Sequence, residues 1–293
     1  MRLTNRLSLP QPIVDAVAND EYSRGDADIS VTQLIDPPRK VELLRRHDDE
    51  LEEDVSDRIF SLFGQAIHVI LERANRTGDV ENRLYMQVGG WTISGQYDRI
   101  ALVEDDSGKV VLSDYKTAKV YEITNGVKPE RELQLNVLAY LARLHGHRID
   151  KLEAIFILRD WSKVRASKVG GPPIVIVQIP LWSEEKALAY ITERVALHRG
   201  VREGTIPLPE CSAEDRWADK DKWAVKKPGR KSAVRVLDWE AEAAVFISSK
   251  DLKNHYIERR PSESLRCQFY CSAAPVCSQW ASIREAQGED EVE

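Results

Sequence analysis

The sequence predicts an α/β fold: a central mixed sheet flanked by helices, preceded by a helical segment and followed by a cysteine-rich one. Three observations predict it. Two strand-like runs, Trp91 to Val103 and Val110 to Thr117, are joined by the turn Glu104-Asp105-Asp106-Ser107-Gly108, and each carries an aspartate, Asp98 or Asp114. Helical periodicity brackets them at 60–74 and 129–145. Two further apolar runs at 152–158 and 173–180, then a capped helix at 183–200, continue the alternation. At 293 residues, 42% apolar and 31% charged, the chain has a soluble globular composition and room for one large domain or a core with appendages.

Element by element, the first 60 residues carry two short helical patterns around the break Asp36-Pro37-Pro38-Arg39. An acidic run from His47 to Asp57 follows, whose seven carboxylates read as a solvated helix face or loop and not as a metal site. In the helix FSLFGQAIHVILERA, Gly64, His68 and Glu72 share one face at intervals of four. The missing Cβ of Gly64 allows a backbone or a metal site to come close, while Glu72 reads as solvated or as a partner of Arg73 or Arg76. Leu84 to Val88, the turn Gly89-Gly90 and the run from Trp91 make a hairpin. Asp114 and Lys116, two apart on a strand, project from the same face toward whatever Asp98 faces. Two hard oxygen ligands beside an ammonium suit a divalent cation and a scissile phosphate.

Downstream, Pro129 and an acidic first turn open a helix whose expected buried stripe is Leu133, Val137, Tyr140, Leu141 and Leu144, with Gln134 at its edge. The loop from Arg159 to Gly171 is basic and expected to border DNA. Ser183 caps the next helix, with Glu184 and Glu185 in its first turn. Beyond Gly204, Pro207 and Pro209 the composition changes.

All four cysteines lie in the last third: Cys211, Cys267, Cys271 and Cys277. With no apolar run long enough for a signal peptide or a membrane span, the chain is expected in a reducing cytoplasm, where clustered cysteines point to metal. Four thiolates suit either zinc or a four-iron four-sulfur cluster; His255 is the nearest substitute should Cys211 lie apart. Lys222 to Arg235, KWAVKKPGRKSAVR, holds six basic residues and no acidic one, with Arg216, Trp217 and Trp223 close by. Such a segment, standing out in a chain of net charge −6, suits a phosphate backbone and unstacked bases, and otherwise is a solvated loop or arm. The candidate nucleic-acid contacts are Lys119, Lys222, Lys226, Lys227, Arg230 and Lys231.

Gly95-Gln96-Tyr97-Asp98 followed by Asp114-Tyr115-Lys116-Thr117 resembles the PD-(D/E)XK nuclease superfamily, and within it the RecB-type exonuclease branch. That branch places a Gly-x-x-x-His helix ahead of its Gly-x-x-Asp strand, as Gly64 and His68 stand here. A later helix carries Gln-x-x-x-Tyr; this chain keeps Gln134 but has Leu138 in the Tyr place, with Tyr140 two residues on and on a different side. The resemblance implies a restriction-endonuclease-like core in which His68, Asp98, Asp114 and the Tyr115 carbonyl hold one or two magnesium or manganese ions. It also implies that Lys116 positions the attacking water and that Gln134 steers the phosphate. CRISPR-adaptation nucleases and AddB-type helicase-nucleases of this branch close a four-iron four-sulfur cluster with a remote cysteine ahead of the core and a carboxyl-terminal Cys-x2-Cys-x5-Cys trio. Here the trio runs Cys-x3-Cys-x5-Cys and the remote residue, Cys211, follows the core, so zinc stays open as the alternative.

The expected organisation is a helical cap at 1–60, the nuclease core at 61–204, a basic four-cysteine segment at 205–283 and an acidic tail at 284–293. The expected function is that of a magnesium- or manganese-dependent DNA exonuclease acting on ends or single strands in recombination, repair or phage DNA metabolism. Recombination or adaptation proteins are its expected partners, in the cytoplasm of a cell or of a phage host. The alternative is a non-catalytic nucleic-acid-binding or assembly module retaining the fold, against which the intact Asp98, Asp114 and Lys116 count; a sequence-specific restriction enzyme is disfavoured by the His68 and Gln134 helices.

Overall fold

A computed structural model describes residues 1–19, 25–103, 107–164, 166, 171–218 and 220–287. The first three residues of the expected turn at 104–108, part of the basic loop at 159–171 and the residues from 288 onward lie outside the described residues. The chain divides into two compact units, one of residues 1–42 and 48–208, the other of residues 43–47 and 209–293. No helix among the described residues is long and apolar enough to cross a membrane.

The first unit begins with β1 (Arg2–Thr4), α1 (Gln11–Ala18), β2 (Ile29–Ser30), α2 (Val31–Ile35) and α3 (Pro38–Arg46), whose last residues join the second unit. Then come β3 (Glu52–Asp54), a 3-10 turn at Val55–Arg58, α4 (Ile59–Ala74), β4 (Asp79–Val80), β5 (Arg83–Val88), β6 (Trp91–Gln96), β7 (Arg99–Leu102) and β8 (Val110–Ala118). After these run α5 (Val120–Thr124), α6 (Pro129–Leu144), β9 (Lys151–Leu158), β10 (Ile174–Ile179) and α7 (Glu184–Glu203). The mixed α/β architecture expected from the sequence is present, as a five-stranded sheet in the order β10-β9-β8-β7-β4 beside a three-stranded sheet in the order β2-β6-β5.

Hairpin β5–β6 closes on Gly89 and Gly90, both at positive φ (57° and 78°), which a right-twisted two-residue turn requires. Strands β8 and β9 are parallel, so the chain between them must cross over, and α6 makes that crossing. Along β9 every second residue is buried, from Leu152 through Ala154 and Phe156 to Leu158. The stripe read for α6 is only partly right. Val137 and Leu141 are buried, but Leu144 is 57% exposed, Leu133 and Tyr140 are half-buried, and Leu135, Leu138 and Ala139 are buried in addition. The reason is that α6 packs against α2 and α7 as well as the strands, so more than one of its faces is covered. Gly95 makes the closest of these approaches possible, since a Cβ there would stand 2.6 Å from Leu138 Cδ2 and 2.8 Å from Val31 Cγ2.

The reading of the amino-terminal residues as helical misses β1, β2 and β3. β2 extends the smaller sheet beside β6, and β1 pairs with β3. The acidic run is not all solvated either: Asp54 is buried and accepts from the Arg6 and Ser56 amides and the Thr4 hydroxyl, bonds that hold its carboxyl well below the usual range. Helix α7 continues past the expected end at 200 to Glu203, where Gly204 in the left-handed region stops it, and the Ser183 hydroxyl accepts from the Lys186 amide at its start.

The second unit contains β11 (Lys222–Lys226), β12 (Arg235–Leu237), α8 (Glu240–Ser249), β13 (Tyr256–Arg260), α9 (Leu265–Phe269) and α10 (Ser278–Gln287). Its three strands form an antiparallel sheet in the order β12-β11-β13. The basic segment expected as a loop or arm is therefore a hairpin, because Ala224 and Val225 are buried and anchor β11.

Candidate active site

Register brings the two aspartates together. Arg99 of β7 pairs with Ser113 of β8, so Asp98, the residue before β7, comes opposite Asp114. Asp98 accepts a 2.6 Å hydrogen bond from the Tyr115 amide. Burial, and then the Asp114 charge, push the Asp98 carboxyl up to about 7. Asp114 is 2% exposed; its Oδ1 accepts from Lys116 Nζ at 2.7 Å, while its buried Oδ2 has no hydrogen-bond partner among the described residues. A buried carboxylate oxygen left this way is costly unless a cation or a donor reaches it.

Helix α4 lies along β8, with the Cβ position of Gly64 at ordinary contact distance, 3.6 Å, from Thr117 Oγ1. One turn later His68 Nδ1 stands 3.2 Å from Glu81 Oε1 and 3.5 Å from Asp98 Oδ1. The hydrogen bond to Glu81, aided by the Asp98 charge, holds the imidazole above its ordinary pKa. Ligand atoms of His68, Glu81 and Asp98 all lie within 4.8 Å of one another, the only such trio of His, Cys, Asp and Glu among the described residues.

Glu81 was not expected. It sits between β4 and β5 with φ at +50°, a region non-glycine residues seldom occupy, and its amide donates to the Asp98 carbonyl at 3.3 Å. Gln96 Nε2 donates to Glu81 Oε2 at 2.7 Å, and Gln96 Oε1 in turn accepts from Arg83 at 2.9 Å. Tyr97, 1% exposed, donates to Asp79 Oδ2 at 2.7 Å and so ties β4 to the strand end carrying Asp98; burial first, then this bond, pushes its phenol up to about 12. Within Gly95-Gln96-Tyr97-Asp98, then, Gly95 admits the helix, Gln96 supports a carboxylate, Tyr97 anchors the strand end and Asp98 supplies the acid.

Other expected residues are placed differently. Gln134 is half-buried on α6, and its side chain makes no hydrogen bond to Lys116. Leu138 fills the core against Gly95, and half-buried Tyr140 packs against the core. Lys119 is exposed at the start of α5. Lys222 and Lys226 are bound to carboxylates on neighbouring segments, Asp238 at 2.5 Å and Glu258 at 2.8 Å, whereas Lys227, Arg230 and Lys231 are exposed on the turn after β11.

In the second unit all four cysteines are half-buried and none is in a disulfide. Burial, with Asp215 and the three other thiols near it, pushes Cys211 up to about 12, so the remote cysteine shares a neighbourhood with the trio. Its backbone is gripped from both sides by one side chain: the Cys211 amide donates to Gln279 Oε1 at 2.8 Å and Gln279 Nε2 donates to the Cys211 carbonyl at 2.9 Å. His255 is half-buried with its Nδ1 2.9 Å from the Lys253 carbonyl.

Compared with known proteins, the model of the PD-(D/E)XK nuclease superfamily matches residues 32–278. No curated protein matches the chain. Among solved structures, the crystal structure of SSO0001 aligns with 70% of this chain and 87% of its own, at 17% identity and a TM-score of 0.46.

Proposed function

The chain belongs to the PD-(D/E)XK nuclease superfamily, and from that premise we propose that it is a metal-dependent DNA exonuclease acting on DNA ends or single strands in recombination, repair or phage DNA metabolism. The observation that carries the reading is the convergence of His68, Glu81 and Asp98 beside an Asp114 whose Oδ2 is buried without a hydrogen-bond partner among the described residues. Oxygen-rich donors with one imidazole fit magnesium or manganese; His68, Glu81, Asp98 and Asp114, with the Tyr115 carbonyl, would hold the ion. When bound, such an ion lowers the pKa of its water and offsets charge on the phosphate.

The remaining work falls to the protein's own side chains. Lys116, fixed by Asp114, presents a cation where the scissile phosphate lies and orients the attacking water toward it. Asp98, held at the junction of β6 and β7 by the bond from the Tyr115 amide to its Oδ2, keeps its Oδ1 beside His68. Gln134 steers the phosphate from α6.

For the second unit we propose a structural four-thiolate centre on Cys211, Cys267, Cys271 and Cys277, an iron-sulfur cluster in preference to zinc. The protein would work in the cytoplasm of a cell or of a phage host, with recombination or adaptation proteins as partners, and Lys119, Lys227, Arg230 and Lys231 would add phosphate contacts.

The test is release of nucleotides from end-labelled DNA in magnesium or manganese. Asp114→Ala and Lys116→Ala should both abolish release; Asp114→Ala should keep the wild-type unfolding midpoint, since it relieves the repulsion of Asp98, whereas Lys116→Ala, which strips the buried Asp114 of its cation, should lower it. Wild-type turnover by either variant would sink the assignment. A protein that shifts DNA in chelator but releases nothing with metal would be a binding module instead.

A further inference from the structure

We infer that Phe60 and Arg159 form a base-stacking platform for a single-stranded DNA end, roughly two to four nucleotides from the scissile phosphate. The position rests on the nuclease reading above; the chemistry rests on the surface itself. Phe60 is 56% exposed, and the Arg159 guanidinium lies 3.8 Å from its ring centroid. A cation stacked on one face of an aromatic ring leaves the other face open, and an exposed ring so held offers a π surface to any base.

Two lines of backbone tie this pair to the metal site. Phe60 and His68 are eight residues apart on α4, about 12 Å along its axis, with Gly64 midway against Thr117. At about 3.4 Å per stacked nucleotide, and more when extended, that distance spans roughly two to four nucleotides. On the other side, the strand that brings Asp114 and Lys116 to the site runs on to Ala118, whose carbonyl accepts from the Arg159 amide at 2.9 Å. Lys119 and Tyr121, both exposed and the latter by 66%, come next in the chain. A polyanion with its scissile phosphate beside Lys116 therefore meets cations and aromatic faces in one direction along β8. Bases in a duplex are stacked on one another and present no face, so the occupant is an unpaired strand.

The test uses the full chain and fluorescein-labelled oligothymidylate, with binding read by anisotropy in calcium and cleavage read in manganese. Phe60→Leu keeps an apolar side chain but removes the π face, and should weaken binding roughly fivefold to a hundredfold; Phe60→Trp should bind as wild type. On strands whose second to fourth bases from each end are abasic, wild type and Phe60→Leu should become equal, because the platform then has nothing to stack. Equal binding of wild type and Phe60→Leu to the intact strand, or an undiminished difference on the abasic strand, overturns the inference. Phe60-dependent binding without cleavage by the wild type would overturn the nuclease reading and leave this one standing.

Discussion

Gln96 donates to Glu81 while accepting from Arg83, so a carboxylate outside the recognisable motif is aimed by a side chain inside it. If Gln96 orients Glu81 toward a divalent ion, Gln96→Ala should weaken manganese binding by roughly tenfold to a hundredfold, as loss of such supporting bonds does at other metal sites. Calorimetric titration measures it, and unchanged affinity would mean that the left-handed backbone of Glu81 alone fixes the carboxylate. Asp98, Asp114 and Lys116 were legible because strand alternation converts spacing into facing, and register then completes the geometry. Glu81 was not legible. Its place depends on a positive φ at a non-glycine residue and on a partner fifteen positions away, neither of which leaves a mark on composition or periodicity.

Helices supply the element-scale constraints, and α7 carries one that responds to pH. His198, buried in α7, has its Nε2 3.1 Å from the Leu34 carbonyl at the end of α2, and burial with the neighbouring Arg194 lowers its pKa from 6.5 to about 4. The folded state therefore binds fewer protons than the unfolded chain between these values. Stability from this residue is fully present above pH 6.5 and is lost as the pH falls toward 4, by at most about 3 kcal/mol. Urea unfolding at about pH 7 and about pH 4.5 should show a smaller change for His198→Gln than for wild type; equal changes would mean that His198 does not carry the pH dependence. The long elements were readable because periodicity accumulates over many residues, as in β9 and α7. Strands β1 to β3 are two or three residues long, too short for any pattern, and α6 misled because several elements cover it.

For the whole molecule, the informative fact is that residues 43–47 group with residues 209–293, a long-range relation that no local pattern encodes. Cys211 lies near the other three thiols, and Gln279, which the sequence does not single out, holds its backbone. Cys271→Ser should destabilise the region around α9 in the second unit, because a structural thiolate centre contributes on the order of ~10 kcal/mol to small domains. An ultraviolet-visible spectrum of anaerobically purified protein should show broad absorbance that bleaches with dithionite and is absent from the variant; a colourless wild type with one zinc would select the other metal. The Gln279 clasp has a consequence for assembly. Joining Cys211 to the segment around Cys277 closes a long loop, and the two amide bonds offset part of that entropic cost. In the proposed four-thiolate centre, the remote cysteine would thus be stationed in advance, and the metal would not have to gather the chain itself.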